Sequence, residues 1–178
     1  MNDEASFTRM FQEHYESVLR YAWRRVGSAD APDIAAETFK IAWEKYDGFP
    51  RDQPLPWLYV TARNLTLNLI RKDRRRERLA DWPGEDLSRH AVEQDHAYAV
   101  TARQAALAAL DGLSDDDREL VLLVSWEGLD LRQAAVVVGC SRPVASMRLH
   151  RARKRLRRLL ADEPQSVGRH PSYGENAV

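Results

Sequence analysis

The segment "LDLRQAAVVVGCSRPVASMRLHRARKRLRRLL", residues 129–160, narrows the fold more than any other part of the chain. Asp130 stands where an N-cap is needed, and Gln133 three residues on completes a capping-box pattern. The apolar run that follows stops at Gly139-Cys140, a pair suited to a tight turn. Ser141 can then cap a second helix, and Pro143 suits its first turn, where a missing amide hydrogen costs little. Ala145, Leu149, Ala152, Leu156 and Leu159 of this second helix fall within ~80° of one another at helical spacing, a narrow apolar face. A short helix, a turn of three or four residues and a longer helix form the layout of a helix-turn-helix.

Residues 136–160 hold eight Lys and Arg and no acid, in a chain whose 27 bases and 27 acids cancel. Such a helix can be a solvated surface, a membrane-lying element or a reader of DNA. The membrane reading is weak, because the apolar face holds small alanines and no aromatic side chain to insert. In the DNA reading, Arg142, Val144, Ser146, Met147 and His150, near the helix start, meet base edges, while Arg151, Arg153, Lys154 and Arg157 suit phosphates. Arg148 joins this DNA-facing set.

The remaining charges alternate in blocks. Residues 1–50 carry nine acids and six bases, 51–78 three acids and eight bases, and 79–135 twelve acids and four bases. Two basic segments separated by acidic ones suit a chain that meets two polyanionic surfaces, although a solvated face explains any one run as well. The acidic 79–135 segment can also pack on the basic faces and keep the free protein compact and away from DNA.

Helical periodicity continues through the rest of the chain, and no β pattern of useful length appears. Phe7, Met10, Phe11, Val18, Leu19, Ala22 and Val26 mark a first helix that Gly27 ends. Asp30 and Pro32 open a second that runs to Tyr46, and "YDGFPRDQPLP" (46–56) reads as a loop. A third runs from Pro56 to about Arg74 with a core stripe of Leu58, Ala62, Leu65 and Leu69. Beside it runs a polar stripe of Trp57, Thr61, Asn64, Asn68 and Arg71, with Arg63 and Lys72 adjacent. An aromatic, amides and bases in one line suit a single nucleic-acid strand, where stacking and charge act together; a polar solvent face with a half-buried Trp is the plain alternative. "DHAYAVTARQAALAALDGL" is a further helix, and Ser114 with Asp117 starts the one after it. The expected fold class is all-α, with two small helical domains at 1–75 and 94–162, the second a helix-turn-helix domain. Between them lies a linker, 76–93, and residues 163–178 are expected to form a disordered tail.

Several classes of function are unsupported. One cysteine, Cys140, makes neither a disulfide nor a CxxC metal site, and no Gly-rich phosphate loop is present. Asp33 and Glu37 lie one turn apart, but with no further Asp/His set they read as a polar docking face rather than a nuclease centre. No cofactor, metal or enzymatic activity is expected. No apolar run reaches the ~18 residues of a membrane span and no signal-like start is seen, so the expected location is cytoplasmic, off the membrane.

"FTRMFQEHYESVLRYAWRRVG", "APDIAAETFKIAWEKYDGF" and "PWLYVTARNLTLNLIRKDRRR" resemble, in order and spacing, region 2 of the extracytoplasmic-function (ECF) bacterial sigma factors. "ALDGLSDDDRELVLLVSWEGLDLRQAA" and "GCSRPVASMRLHRARKRLRRLL" resemble region 4 of the same group. The resemblance covers about residues 6–160 and implies a protein that binds core RNA polymerase and directs promoter-specific initiation. It implies that Asp33, Glu37, Phe39, Lys40 and Trp43 dock on the clamp of the polymerase largest subunit, and that region 4 meets the flap of the second-largest subunit. It further implies that the loop 47–54 and the helix after it open the minus-ten element as single strands, with a flipped-out base held near Trp57, Arg63, Asn64 and Asn68. The helix-turn-helix would read the minus-thirty-five element as duplex, and an anti-sigma factor would be a partner. A linker of about 20 residues reaches ~65 Å at ~3.3 Å each, comparable to just under 20 base pairs at ~3.4 Å. The chain departs from the family at the recognition helix, where Pro143, Val144, Ala145, Ser146 and Met147 replace a frequent Gly-Thr-Val-Lys-Ser. A base and two hydroxyls give way to one hydroxyl and apolar groups, and Val144 and Met147 suit thymine methyls. A stand-alone helix-turn-helix regulator would require an effector pocket or dimer seam within residues 1–75, and neither is visible.

Overall fold

The computed structural model describes residues 3–79 and 106–161, which are helical with no strand among them. The elements are α1 (Asp3–Glu44), a 3-10 turn (Tyr46–Gly48), α2 (Pro54–Leu79), α3 (Asp115–Ser125), α4 (Leu131–Val138) and α5 (Arg142–Ala161). Residues 106–111 are also helical, the end of the helix expected before Gly112. The rest of that helix, most of the expected linker and the expected tail fall outside the described residues.

α1 contains both of the first two expected helices. Gly27 breaks it with φ 81 and ψ −179, a backbone conformation that L side chains rarely adopt. No loop follows: the helix resumes at once, and Asp30 lies inside it. Pro32 is tolerated because it falls close behind the break, where a helix start already lacks acceptors for its first amides. α2 begins two residues earlier than expected and runs past 75 to Leu79. Its last turns read "RRRERL", good helix formers throughout, with the next proline only at position 83.

The two stretches of α1 fold back on each other and on α2. Val18, Tyr21 and Ala22 from before the break meet Ala31, Ala35, Phe39 and Ala42 from after it and Leu58, Tyr59 and Ala62 of α2. An aromatic chain fastens the turn to this core, Trp43 lying over Tyr46 and Tyr46 over Phe49, both at 5.9 Å, with Phe49 edge-on to Trp57 at 5.0 Å.

In the second half the local signals hold. Ser114 accepts from the Asp117 amide, and Asp130 and Gln133 form the full capping box. Gly139 at φ 78 closes α4 in the left-handed region, and its amide reaches back to the Ala135 and Val136 carbonyls. A small core of Leu110, Val121, Leu122, Leu149 and Ala152 holds α3 and α5 together. The two halves are not separate. Leu120, Leu123, Leu129, Ala134, Ala135, Val137, Val138 and Ala145 continue the core of the first half, and α4 packs on α2.

Candidate nucleic-acid interface

α5 presents its apolar face inward through Ala145, Leu149 and Ala152. Everything the sequence assigns to DNA lies on the other sides. Arg142, Val144, Ser146, Met147, His150, Arg151, Arg153, Lys154 and Arg157 are exposed. Met147 is 55% accessible and Val144 38%, high for apolar side chains beside a packed core. Arg148 is the exception. Its Nε donates to Asp117 at 2.7 Å and its Nη2 to Asp116 at 3.2 Å, tying α5 to the first turn of α3. The hydrogen bond to Asp117, helped by Asp116, outweighs the desolvation and raises its pKa.

The polar stripe of α2 forms as expected but is graded along its length. Asn64, Asn68, Arg71 and Lys72 are exposed, whereas Trp57 and Thr61 are half-buried. Trp57 is anchored by Phe49, and the Thr61 hydroxyl donates to the Trp57 carbonyl at 3.2 Å. Arg63 is engaged: its Nη2 donates to Asp116 Oδ1 at 2.7 Å across the two halves.

Of the residues expected to meet the polymerase, Asp33, Lys40 and Trp43 are exposed on the later stretch of α1 and Glu37 is partly exposed. Lys40 donates to both Glu37 carboxylate oxygens, at 3.1 and 3.2 Å, and this bond raises its pKa. Phe39 is the buried member of the set. It lies in the core, 4.9 Å edge-on from Phe11 and 6.0 Å from Tyr15.

One set of residues was not foreseen. Arg25, Arg24 and Tyr21 of α1 meet Glu119 and Glu127 of the second half. Arg25 forks onto both Glu119 oxygens at 2.9 and 3.0 Å and reaches Glu127 at 3.2 Å. Arg24 holds both Glu127 oxygens at 2.9 and 2.8 Å, and Tyr21 donates to Glu119 at 2.7 Å. These charges are taken out of water, with side chains 8% exposed for Arg25, 10% for Glu119 and 4% for Glu127. Burial works against the Arg25 charge, but Glu119, Tyr21 and Glu127 outweigh it and raise its pKa. Burial likewise lifts the phenols, Tyr21 well above the ordinary range and Tyr59 to about 12. A signal for this cluster was present in the sequence: Tyr21 and Arg25 continue the stripe of Val18 and Ala22, so a charge occupies a core position.

No group of three or more His, Cys, Asp or Glu among the described residues is arranged to hold a metal, and no described helix is long and apolar enough to cross a membrane.

Residues 10–76 match the model for sigma-70 region 2, and residues 103–156 match that for sigma-70 region 4. The chain belongs to the sigma-70 family. Within it the chain is an ECF sigma factor: it is 34% identical over 146 residues to the ECF RNA polymerase sigma factor EcfG of Rhodopseudomonas palustris, a match spanning 81% of this chain and 79% of that one. Its function is promoter-specific transcription initiation. Among solved structures it is similar to the sigma factor RpoE in complex with the anti-sigma factor NepR from Bartonella quintana. That match has a TM-score of 0.70 and 26% identity, and covers 88% of this chain and 98% of the other. It is also similar to CnrH in complex with the cytosolic domain of CnrY, with a TM-score of 0.64, 25% identity and 91% of each chain covered.

Proposed function

We propose that this sigma factor divides promoter recognition between α2, which holds the opened minus-ten element, and α5, which reads the minus-thirty-five element as duplex. The observation that carries this division is the contrast between the two surfaces. α5 exposes Val144, Met147, Ser146 and His150 beside an acid-free row of bases, a surface for a major groove and its phosphates. α2 offers amides at Asn64 and Asn68 beside an anchored Trp57, a surface for an unstacked base. In this reading Arg63, Arg71, Lys72, Arg151 and Lys154 take phosphates.

The exposed Asp33, Lys40 and Trp43, with Glu37 and with Phe39 behind them, are the proposed docking face for the clamp of core RNA polymerase. Region 4 takes the flap of the second-largest subunit, on family resemblance. An anti-sigma factor is the proposed negative partner, supported by a structural neighbour that was solved with one.

Run-off transcription with core polymerase over a library of genomic promoters tests the reading. Specific transcripts that depend on this protein are expected. Tight duplex binding by the free protein with no effect on core polymerase would overturn it.

A further inference from the structure

In the ion pairs that cross between the halves among the described residues, the first half supplies the cation and the second half the anion. Arg24 and Arg25 end on Glu127 and Glu119, and Arg63 ends on Asp116. Asp116 does more than close the rim of this seam. Its Oδ1 accepts from Arg63 on α2, and its Oδ2 accepts from Arg148 on α5. One carboxylate therefore ties together the helices proposed to hold the two promoter elements.

We infer that Asp116 is an internal stand-in for a nucleic-acid phosphate, and that the seam is a latch the protein must open to engage a promoter. The inference rests on the proposed role of α2 and adds its regulation. Geometry makes the closed form incompatible with two-element binding. Arg63 and Arg148 both lie within hydrogen-bond reach of the same side chain, so the closed form holds at one point the two helices proposed to take separate promoter elements. Chemistry makes Asp116 the point of competition. A carboxylate and a phosphodiester offer the same guanidinium the same kind of charged oxygen acceptor, so a strand on α2 must displace Asp116 to gain Arg63. The buried part of the seam sets the resistance to opening. The Arg25–Glu119–Glu127 cluster is satisfied in the closed form and has no buried side-chain polar atom without a partner among the described residues. Asp116 itself is 42% exposed and lies at the rim, so its charge can be removed without hollowing the core.

The experiment uses the full-length free protein and a random-sequence single-stranded oligonucleotide, with affinity read by fluorescence anisotropy across a salt series. Asp116→Asn keeps the shape of the side chain, removes its charge and turns one of its two acceptor oxygens into an amide donor, so that it can no longer accept from Arg63 and Arg148 together. It is expected to tighten binding about two- to fivefold, the size of a partly exposed ion pair. The radius of gyration from scattering is expected to increase, and Arg63→Gln added to Asp116→Asn is expected to abolish the gain. Circular dichroism confirms that each variant keeps its helices. Unchanged affinity in Asp116→Asn, with Arg63→Gln still weakening the wild-type protein, overturns the latch and leaves the role of α2 intact. If Arg63→Gln weakens binding in neither background, the assignment of Arg63 to the strand fails and the latch fails with it.

Discussion

The protein uses arginine in two opposite settings, and the difference separates charge that holds this molecule together from charge it leaves exposed. At the seam, Arg25 is buried and forked onto carboxylates from another part of the chain. On α5, Arg151, Arg153 and Arg157 stand exposed on a helix with no acid among residues 136–160. A buried guanidinium must have its counter-charge built in, because desolvation otherwise outweighs any gain. An exposed row keeps its hydration until a polyanion arrives, and releases the polyanion's counterions when it does. Arg63 and Arg148 lie between these extremes, and both share Asp116.

The sharpest way to break this contrast is to remove a seam carboxylate. Glu119→Ala leaves Arg25 buried with half its partners and Tyr21 without its acceptor, and is expected to cost about 3–5 kcal/mol in a chemical denaturation curve. A loss below about 1 kcal/mol would mean that water reaches the seam and that the two settings are alike. Next in size is Trp57→Ala on α2. Losing a stacking platform worth about 1–3 kcal/mol is expected to impair initiation on closed duplex while sparing initiation on a template already melted at the minus-ten element. Equal loss on both templates would reassign Trp57 to the core alone.

A smaller effect concerns the apolar start of α5. Replacing thymine by deoxyuridine in the minus-thirty-five element deletes a methyl group worth about 0.8 kcal/mol when buried, so affinity is expected to fall about fourfold. The fall is expected to disappear in a Val144→Ala, Met147→Ala double variant; if it persists there, the methyl is read by something else. The least selective change is Arg151→Ala, which is expected to weaken binding uniformly across sequences and to lower the salt slope by about one. An altered sequence preference with an unaltered slope would place Arg151 against a base.

Much of the fold was legible because its signals are local. Asp130 with Gln133, Gly139 and Ser114 act within a few residues of themselves, and each does in the structure what its type and spacing imply. The ends of α2 were misjudged for a related reason: good helix formers carry a helix forward until something stops it, and nothing in "RRRERL" does. The burial of Phe39 was not legible, because a helix face is inner or outer according to what packs against it, and here Phe11 and Tyr15 do.

By itself, the sequence determined the helices, the capped turn before α5, the acid-free basic face and the family, since these rest on near-neighbour chemistry and periodicity. Only the tertiary structure decided that the halves share a core, that Arg25 finds Glu119 and Glu127, and that Arg63 and Arg148 meet at Asp116. The two partners in the pair Arg63 and Asp116 stand 53 positions apart. An ion pair over that separation is set by how helices pack, which spacing along the chain does not encode.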